Sequence, residues 1–200
     1  VADSAVFDRI ERDSTSRDDM RLFQAPMAWF DRSQVSGDTL RVTAKDGETD
    51  SLFVRTNTFV AQLDTVSNRI NQIKGQHLVG FIEGARRRFT VEPNAETIWH
   101  LNKEERPDGG VQVSADRIHI LFVGDKPRQA RWIGGVQGTQ YAENLLPSPF
   151  QLEGYRWEPE VKPTKVGLLE GVELPPGPEP PPQTEPIPIV RNEEKEGGNR

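Results

Sequence analysis

Several residue types and patterns are missing from this sequence, and each absence excludes a class of function. None of its 200 residues is cysteine, so disulfides, thiolate catalysis and cysteine-based zinc sites are excluded. No apolar run approaches the ~18 residues that a membrane-spanning helix needs, and the first residues lack the basic and apolar regions of a signal peptide. Basic residues number 25 against 31 acidic ones, which argues against nucleic-acid binding, since that requires a basic surface.

Motifs of enzymes and metal sites are absent as well. The sequence has no G-x-S-x-G, no P-loop and no dinucleotide-binding glycine pattern. Its three histidines, His77, His100 and His119, have neither H-x-H nor i, i+4 spacing, so we expect them on strand faces and not in a metal centre. We therefore expect no enzyme activity, no metal and no cofactor.

The distribution of proline divides the chain. Ten of the 16 prolines follow residue 158. Residues 164–200 are rich in proline and glutamate, which predicts a disordered, extended linker or tail. Residues 1–21 are densely charged and predict a loose lead-in that contains at most a short helix. Between them, residues 22–163 predict one β-repeat domain. Because the chain begins with Val1, we expect either a trimmed cytosolic protein or a piece of an exported one.

A repeat in the middle of the chain is its most informative feature. Three segments read apolar, polar, small, polar, polar, aliphatic: residues 35–40, 73–78 and 113–118. Each leads into a short β-rich run, a turn signal, a second β-rich run and then a residue that tolerates positive φ. The turn signals are Asp46-Gly47, Glu83-Gly84 and Gly124-Asp125, and the tolerant residues are Asn57, Asn94 and Gly135.

Alternation within these runs predicts the fold class. Leu40, Val42 and Ala44 alternate with polar residues, which is the period of a one-sided strand. No helical period of comparable strength is present. About 120 residues cannot supply the four blades of a WD40 propeller, and the motifs of that repeat are missing. The prediction is an all-β fold of stacked antiparallel hairpins, an open β-jelly roll.

At this point the repeat shows a family likeness. The runs VSGDTLRVTAKDGETDSLFVRTNTFVAQLD, NQIKGQHLVGFIEGARRRFTVEPNAETIWHLN and VSADRIHILFVGDKPRQARWIG resemble the OstA-like domain, the V-shaped β-jelly roll of the lipopolysaccharide-transport proteins LptA, LptC and LptD. The likeness is greatest to the OstA-like protein of Bacteroidota-type bacteria, in which a leucine–proline stretch and an aromatic segment follow, as at residues 144–150 and 155–157. It covers residues 23–163, and because such relatives are usually longer at the N-terminal side, we expect an excised part or a short member.

The resemblance implies a function and partners. It implies a periplasmic, non-enzymatic component, associated with the outer membrane, that shields the acyl chains of lipopolysaccharide or lipid A in an apolar β groove. It also implies edge-strand pairing with other OstA-like domains, of LptC or LptD type, or with a second copy as a homo-oligomer. A non-enzymatic β-repeat scaffold for protein contact, at the cell surface or in the periplasm, is the alternative.

Candidate groove residues follow from the alternation taken with the resemblance. They are Leu40, Val42, Leu52, Val54, Phe59, Leu78, Phe89, Val91, Ile98, Ile118, Ile120, Phe122 and Trp132. Trp29, Trp99 and Phe81 are further aromatic candidates. The sequence leaves open whether these side chains touch lipid or form an ordinary core, because the two use the same surface.

Three consecutive arginines are candidates for binding a lipid headgroup. Arg86, Arg87 and Arg88 follow the turn at Glu83-Gly84, and guanidinium groups bind phosphate in a bidentate manner. A solvated turn is the alternative, because alternation places Arg87 on the face opposite the other two.

Overall fold

A computed structural model describes residues 1–12, 15–30, 32–124 and 126–162. Within these residues lie thirteen β-strands, two 3₁₀ turns and no α-helix. The strands are β1 (Ser4–Arg12), β2 (Thr15–Phe23), β3 (Met27–Phe30), β4 (Ser33–Ser36), β5 (Thr39–Lys45), β6 (Glu48–Asp64), β7 (Arg69–Glu83), β8 (Arg86–Glu92), β9 (Ala95–Lys103), β10 (Arg106–Ala115), β11 (Arg117–Val123), β12 (Lys126–Ile133) and β13 (Gln137–Tyr141). The 3₁₀ turns are Glu143–Leu145 and Pro159–Val161. The predicted class, an open all-β jelly roll, is confirmed.

The antiparallel sheet folds back on itself along the long hairpin of β6 and β7. The first layer contains β1, β2, β5, β8, β11, β12, the beginning of β6 and the end of β7. The second layer contains β3, β4, β9, β10, β13, the end of β6 and the beginning of β7. The two layers face each other, and the hydrophobic core lies between them.

The repeated six-residue segment marks the places where the chain crosses from the second layer to the first. Its first apolar residue belongs to the second layer and its last aliphatic residue to the first, as with Val35 and Leu40. The small residue lies at the crossing itself. A Cβ atom added to Gly37 would overlap the side chain of Val54, and one added to Gly75 would overlap that of Val91. The pattern is therefore imposed by close approach of neighbouring strands.

The return crossings use the residues predicted to tolerate positive φ. Asn57, Asn94 and Gly135 have φ angles of 53°, 55° and 54°, which confirms that prediction. In β6 the crossing is a bulge between Arg55 and Thr58 in the pairing with β7. A bulge changes which side chains point to each face. On the partner strand β7, Ile73 and Leu78 consequently both face the core, although they are an odd number of residues apart.

Apolar side chains from both layers form the core. Leu40, Leu52, Val54 and Ile118 are each 1% exposed, and Val35 of the second layer packs in the same cluster. Burying a side chain of this size stabilises a fold by about 1.5–3 kcal/mol. The Trp132 indole adds a polar link between the layers, because its Nε1 donates to Thr97 Oγ1 at 3.1 Å.

The expectation of a loose lead-in at residues 1–21 is wrong. Strands β1 and β2 form a hairpin that continues the first layer, and β2 pairs with β5. Charge did not prevent strand formation, because Asp19 accepts hydrogen bonds from Arg41 on the neighbouring strand. Residues 1–163 form one compact unit. The predicted tail, 164–200, lies outside the described residues.

Candidate functional site

Most of the predicted groove residues meet in one interior. Eleven of the thirteen belong to the cluster between the layers: Leu40, Val42, Leu52, Val54, Leu78, Phe89, Val91, Ile118, Ile120, Phe122 and Trp132. Phe59 and Ile98 do not, so the prediction that they line the groove is wrong. They lie on the outer face of the second layer, in a separate cluster with Ala61 and Leu152.

The interlayer groove is the cavity between the two layers. It lies near the strand ends that turns connect, and away from the points where the chain crosses between the layers. Its floor is apolar and includes Leu52, Leu78, Val91 and Ile120. Polar residues line its open end, which we call the mouth: Arg32, Ser33, Gln62 and Arg87. The cavity volume is about 60 Å³, enough for a few water molecules. The layers are thus nearly in contact.

The three consecutive arginines do not converge. Arg87 faces the mouth and donates to the carbonyl oxygen of Gly124 at 3.0 Å. Arg88 points away from the groove and forms an ion pair with Glu83, and Arg86, which has the same parity on β8, shares that outer side. Only Arg87 is placed to meet a headgroup at the mouth. Arg32 of the second layer lines the same mouth and donates to Thr65 Oγ1 at 3.3 Å.

Two of the further aromatic candidates lie outside the groove. Trp99 lines it, but Phe81 is 46% exposed on the outer face of the first layer. Trp29 alternates on β3 with Ala28 and Phe30, which pack in the core, so it belongs to the outer face of the second layer. The alternation identified residues that share a face, but not which face is covered.

A segment outside the repeat covers the outer face of the second layer. The family resemblance marked parts of it, at residues 144–150 and 155–157, without giving it a structural role. We call residues 146–158 the strap. Its side chains Phe150, Leu152, Tyr155 and Trp157 pack on the cluster around Ile98. The strap has no strand or helix period, so pattern reasoning assigned it no role. Its aromatic content was the available signal.

Two buried glutamines hold the strap in place. Gln72 Oε1 accepts from the backbone N–H of Leu152 at 2.8 Å, and its Nε2 donates to the Phe150 carbonyl at 3.3 Å. Gln34 repeats the arrangement with the N–H of Glu158 and the carbonyl of Arg156, at 2.9 and 3.0 Å. The strap has no neighbouring strand at these positions, and the side-chain amide of each glutamine takes the place of one. The buried N–H and carbonyl groups of the strap are therefore hydrogen-bonded there.

His100 lies on the same outer face, beneath the strap. Its ring packs edge-on against Phe150, with centroids 5.6 Å apart, and its buried Nδ1 has no hydrogen-bond partner among the described residues. Burial lowers the pKa of His100 below its ordinary value, and the charge of Arg69 acts in the same direction. Asp64 and Glu143 oppose this effect without reversing it. The fold therefore favours the neutral imidazole.

We expect the free energy of unfolding to decrease as the pH falls through about 6.5. The unfolded chain binds a proton at the ordinary pKa of histidine, about 6.5, whereas folded His100 binds it only at lower pH, so protons favour unfolding. Urea unfolding between about pH 8 and 5 measures the effect. A His100→Gln variant should show a flatter profile. An unchanged profile for His100→Gln would contradict the assignment.

Comparisons with known proteins do not identify the chain. No family model, curated protein or solved structure matches it. The resemblance to the OstA-like domain accordingly stays a prediction. Within the described part of the chain, no group of three histidine or acidic side chains is arranged to hold a metal ion. The same residues include no helix with the length and hydropathy of a membrane span.

Proposed function

We propose that this chain is a non-enzymatic carrier that shields the acyl chains of lipopolysaccharide, or of its lipid A part, between its two β layers. The interlayer groove supports this proposal most directly, because an apolar floor runs between the layers and ends at a polar mouth with arginines on both sides. An acyl chain of about ten methylenes in water is unfavourable by roughly 8 kcal/mol, at about 0.8 kcal/mol per CH₂. Transfer into an apolar groove removes that cost without any chemical step.

Loading of the groove requires the layers to separate. A cavity of about 60 Å³ has room for waters but not for an acyl chain. The chain crosses between the layers on the side opposite the mouth, at positions such as Gly37 and Asn57. We propose that these crossings act as the hinge and that the mouth opens to admit lipid.

Edge pairing would extend the groove from one molecule to the next. In the described part of the chain, β1 pairs only with β2 and β12 only with β11, so each end of the first layer has an unpaired strand edge. Such edges favour pairing with a further strand. We propose that other OstA-like domains, or a second copy, bind there and that the resulting bridge works in the periplasm, between inner and outer membranes.

A photo-crosslinking amino acid in the interlayer groove tests the carrier proposal. Placed at Phe122, which lines the groove, it should capture lipopolysaccharide. Placed at the adjacent Leu121, whose side chain alternates to the outer face of the first layer, it should not. Absence of capture at both Phe122 and Phe89, or equal capture at Leu121, would exclude the groove as the lipid site.

A scaffold for protein contact is the second candidate function. The small cavity volume favours it, because a groove that never opens is an ordinary core. Competition between lipid A and a hydrophobic fluorescent probe separates the two candidates: a carrier releases the probe when lipid A is added, and a scaffold does not respond.

A further inference from the structure

The outer face of the first layer differs from that of the second, because none of the described segments covers it. Its centre is apolar: Phe53 pairs with Val79 across β6 and β7, and Phe81 lies beside them on β7. Leu121 on β11 is separated from Phe81 by Arg88 of β8. Phe81 is 46% exposed, whereas Leu152 of the strap side is 4% exposed. Phe53, Val79 and Leu121 are half-buried. Apolar side chains that stay partly exposed together, with polar residues around them, are typical of interaction sites.

Arginines surround this apolar centre. The strand register places six of them in three adjacent cross-strand rows, two of which contain the apolar side chains: Arg21, Arg41, Arg55, Arg88, Arg117 and Arg131. Five carboxylates share the area and pair with arginines: Asp8 and Asp19 with Arg21, Asp50 with Arg17, Glu83 with Arg88 and Glu92 with Arg117. With Arg17 and Arg86 included, eight arginines lie beside these five carboxylates. The face is therefore net positive, on a chain whose formal net charge is -6.

Several of these arginines are held in position. Asp19 accepts from Arg41 Nε and Nη2 at 2.9 and 2.7 Å, and from Arg21 at 3.0 Å. Hydrogen bonding from Arg41 lowers the pKa of Asp19 to about 2, so this carboxylate stays charged at neutral pH. The Arg41 guanidinium lies 5.7 Å from the centroid of the Phe53 ring, which in turn packs edge-on against Phe81 at 6.5 Å. Side chains that are already ordered lose little entropy when a partner binds.

The size of the face suits a folded protein. The width of the face from β2 to β12 is six strand spacings of about 4.8 Å each. Its height is three cross-strand rows of about 7 Å each, so its area is roughly 600 Å². A standard protein–protein interface buries about 800 Å² on each partner. Arginine and aromatic residues are also the types that contribute most binding energy in such interfaces.

We propose that the outer face of the first layer, centred on Phe53 and Phe81, binds a protein partner that presents carboxylates around an apolar centre. This site is separate from the interlayer groove and does not depend on lipid carriage. An anionic membrane is less well matched, because carboxylates such as Asp19 and Glu92 lie among the arginines and would face the lipid phosphates. Mixed charges of this kind specify the register of a protein contact.

Binding of a labelled synthetic peptide tests the proposal. The probe is a twelve-residue peptide of alternating glutamate and tyrosine, and its counterpart has lysine in place of glutamate. The glutamate peptide should bind in a salt-dependent manner, and the lysine peptide should not. Phe81→Ser and Arg131→Glu should each weaken binding at least about tenfold, which corresponds to about 1.4 kcal/mol. Both side chains are exposed, so these variants should fold.

A matched control and an alternative probe complete the test. Phe7→Ser removes another exposed phenylalanine, 56% exposed on β1, and should leave peptide binding unchanged. Failure to bind the glutamate peptide, equal binding of the lysine peptide, or affinity that is insensitive to Phe81→Ser would each overturn the proposal. A membrane site would give a different result. The parent chain would bind phosphatidylglycerol vesicles, and Arg131→Glu would abolish vesicle binding but not peptide binding. That result would also overturn the proposal.

Discussion

Replacing Ile120 with glutamate is expected to lower the free energy of unfolding by about 4 kcal/mol, because it places an unpaired carboxylate in an apolar interior. Ile120 is 4% exposed and packs in the cluster between the layers. For a chain of this size the melting temperature should fall by about 10 °C. Urea unfolding followed by circular dichroism measures the change.

The adjacent residue provides the control. Leu121→Glu introduces the same charge on the outer face of the first layer, where the side chain is only half-buried, and it should cost less than about 1 kcal/mol. Equal losses at the two positions would contradict the assignment of faces. An Ile120→Glu chain that remains fully stable but no longer crosslinks lipopolysaccharide would mean that water enters the groove in solution, as a readily opened carrier requires.

Removal of the strap is expected to have the second large effect. A chain that ends at Leu145 loses Phe150, Leu152, Tyr155 and Trp157 and exposes the apolar cluster around Ile98. Each buried side chain of this type contributes about 1.5–3 kcal/mol, and ordering the strap offsets part of the sum. We expect a net loss of several kcal/mol and strong binding of a hydrophobic dye.

A shorter truncation separates the effect of the strap from that of the segment that follows it. A chain that ends at Leu174 keeps the strap and lacks the proline-rich part of the sequence. Its melting temperature should stay within about 2 °C of the parent value, because such composition cannot bury enough apolar area to stabilise a fold. If both truncations lowered the melting temperature equally, the strap would not be the element that covers the second layer.

The packing of the strap also explains why Gln34 and Gln72 are buried. A buried amide without partners costs about 1–3 kcal/mol, but both of these accept from and donate to strap backbone. Replacing either with an apolar residue would leave strap N–H and carbonyl groups unpaired. Two isolated glutamines in a single sequence do not indicate this role, because their hydrogen-bond partners are more than 70 residues away along the chain.

The sequence by itself determined the repeat, the strand class and the crossing points. These depend on local rules: a Cβ atom does not fit at Gly37 or Gly75, asparagine at positions 57 and 94 tolerates a positive φ, and alternation sets which side chains share a face. Local rules of this kind act within one strand or turn, so a single sequence suffices to find them.

The tertiary structure alone decided which faces are covered and by what. Phe59 and Ile98 follow the same alternation as Leu40, yet they pack under the strap. Alternation distinguishes the two faces of a strand but does not show which face meets the other layer. The charged strand β2 forms because its partner β5 supplies backbone bonds and the arginine that pairs with Asp19. Both outcomes depend on contacts between residues distant in sequence, and the free energy of such contacts is absent from any local pattern.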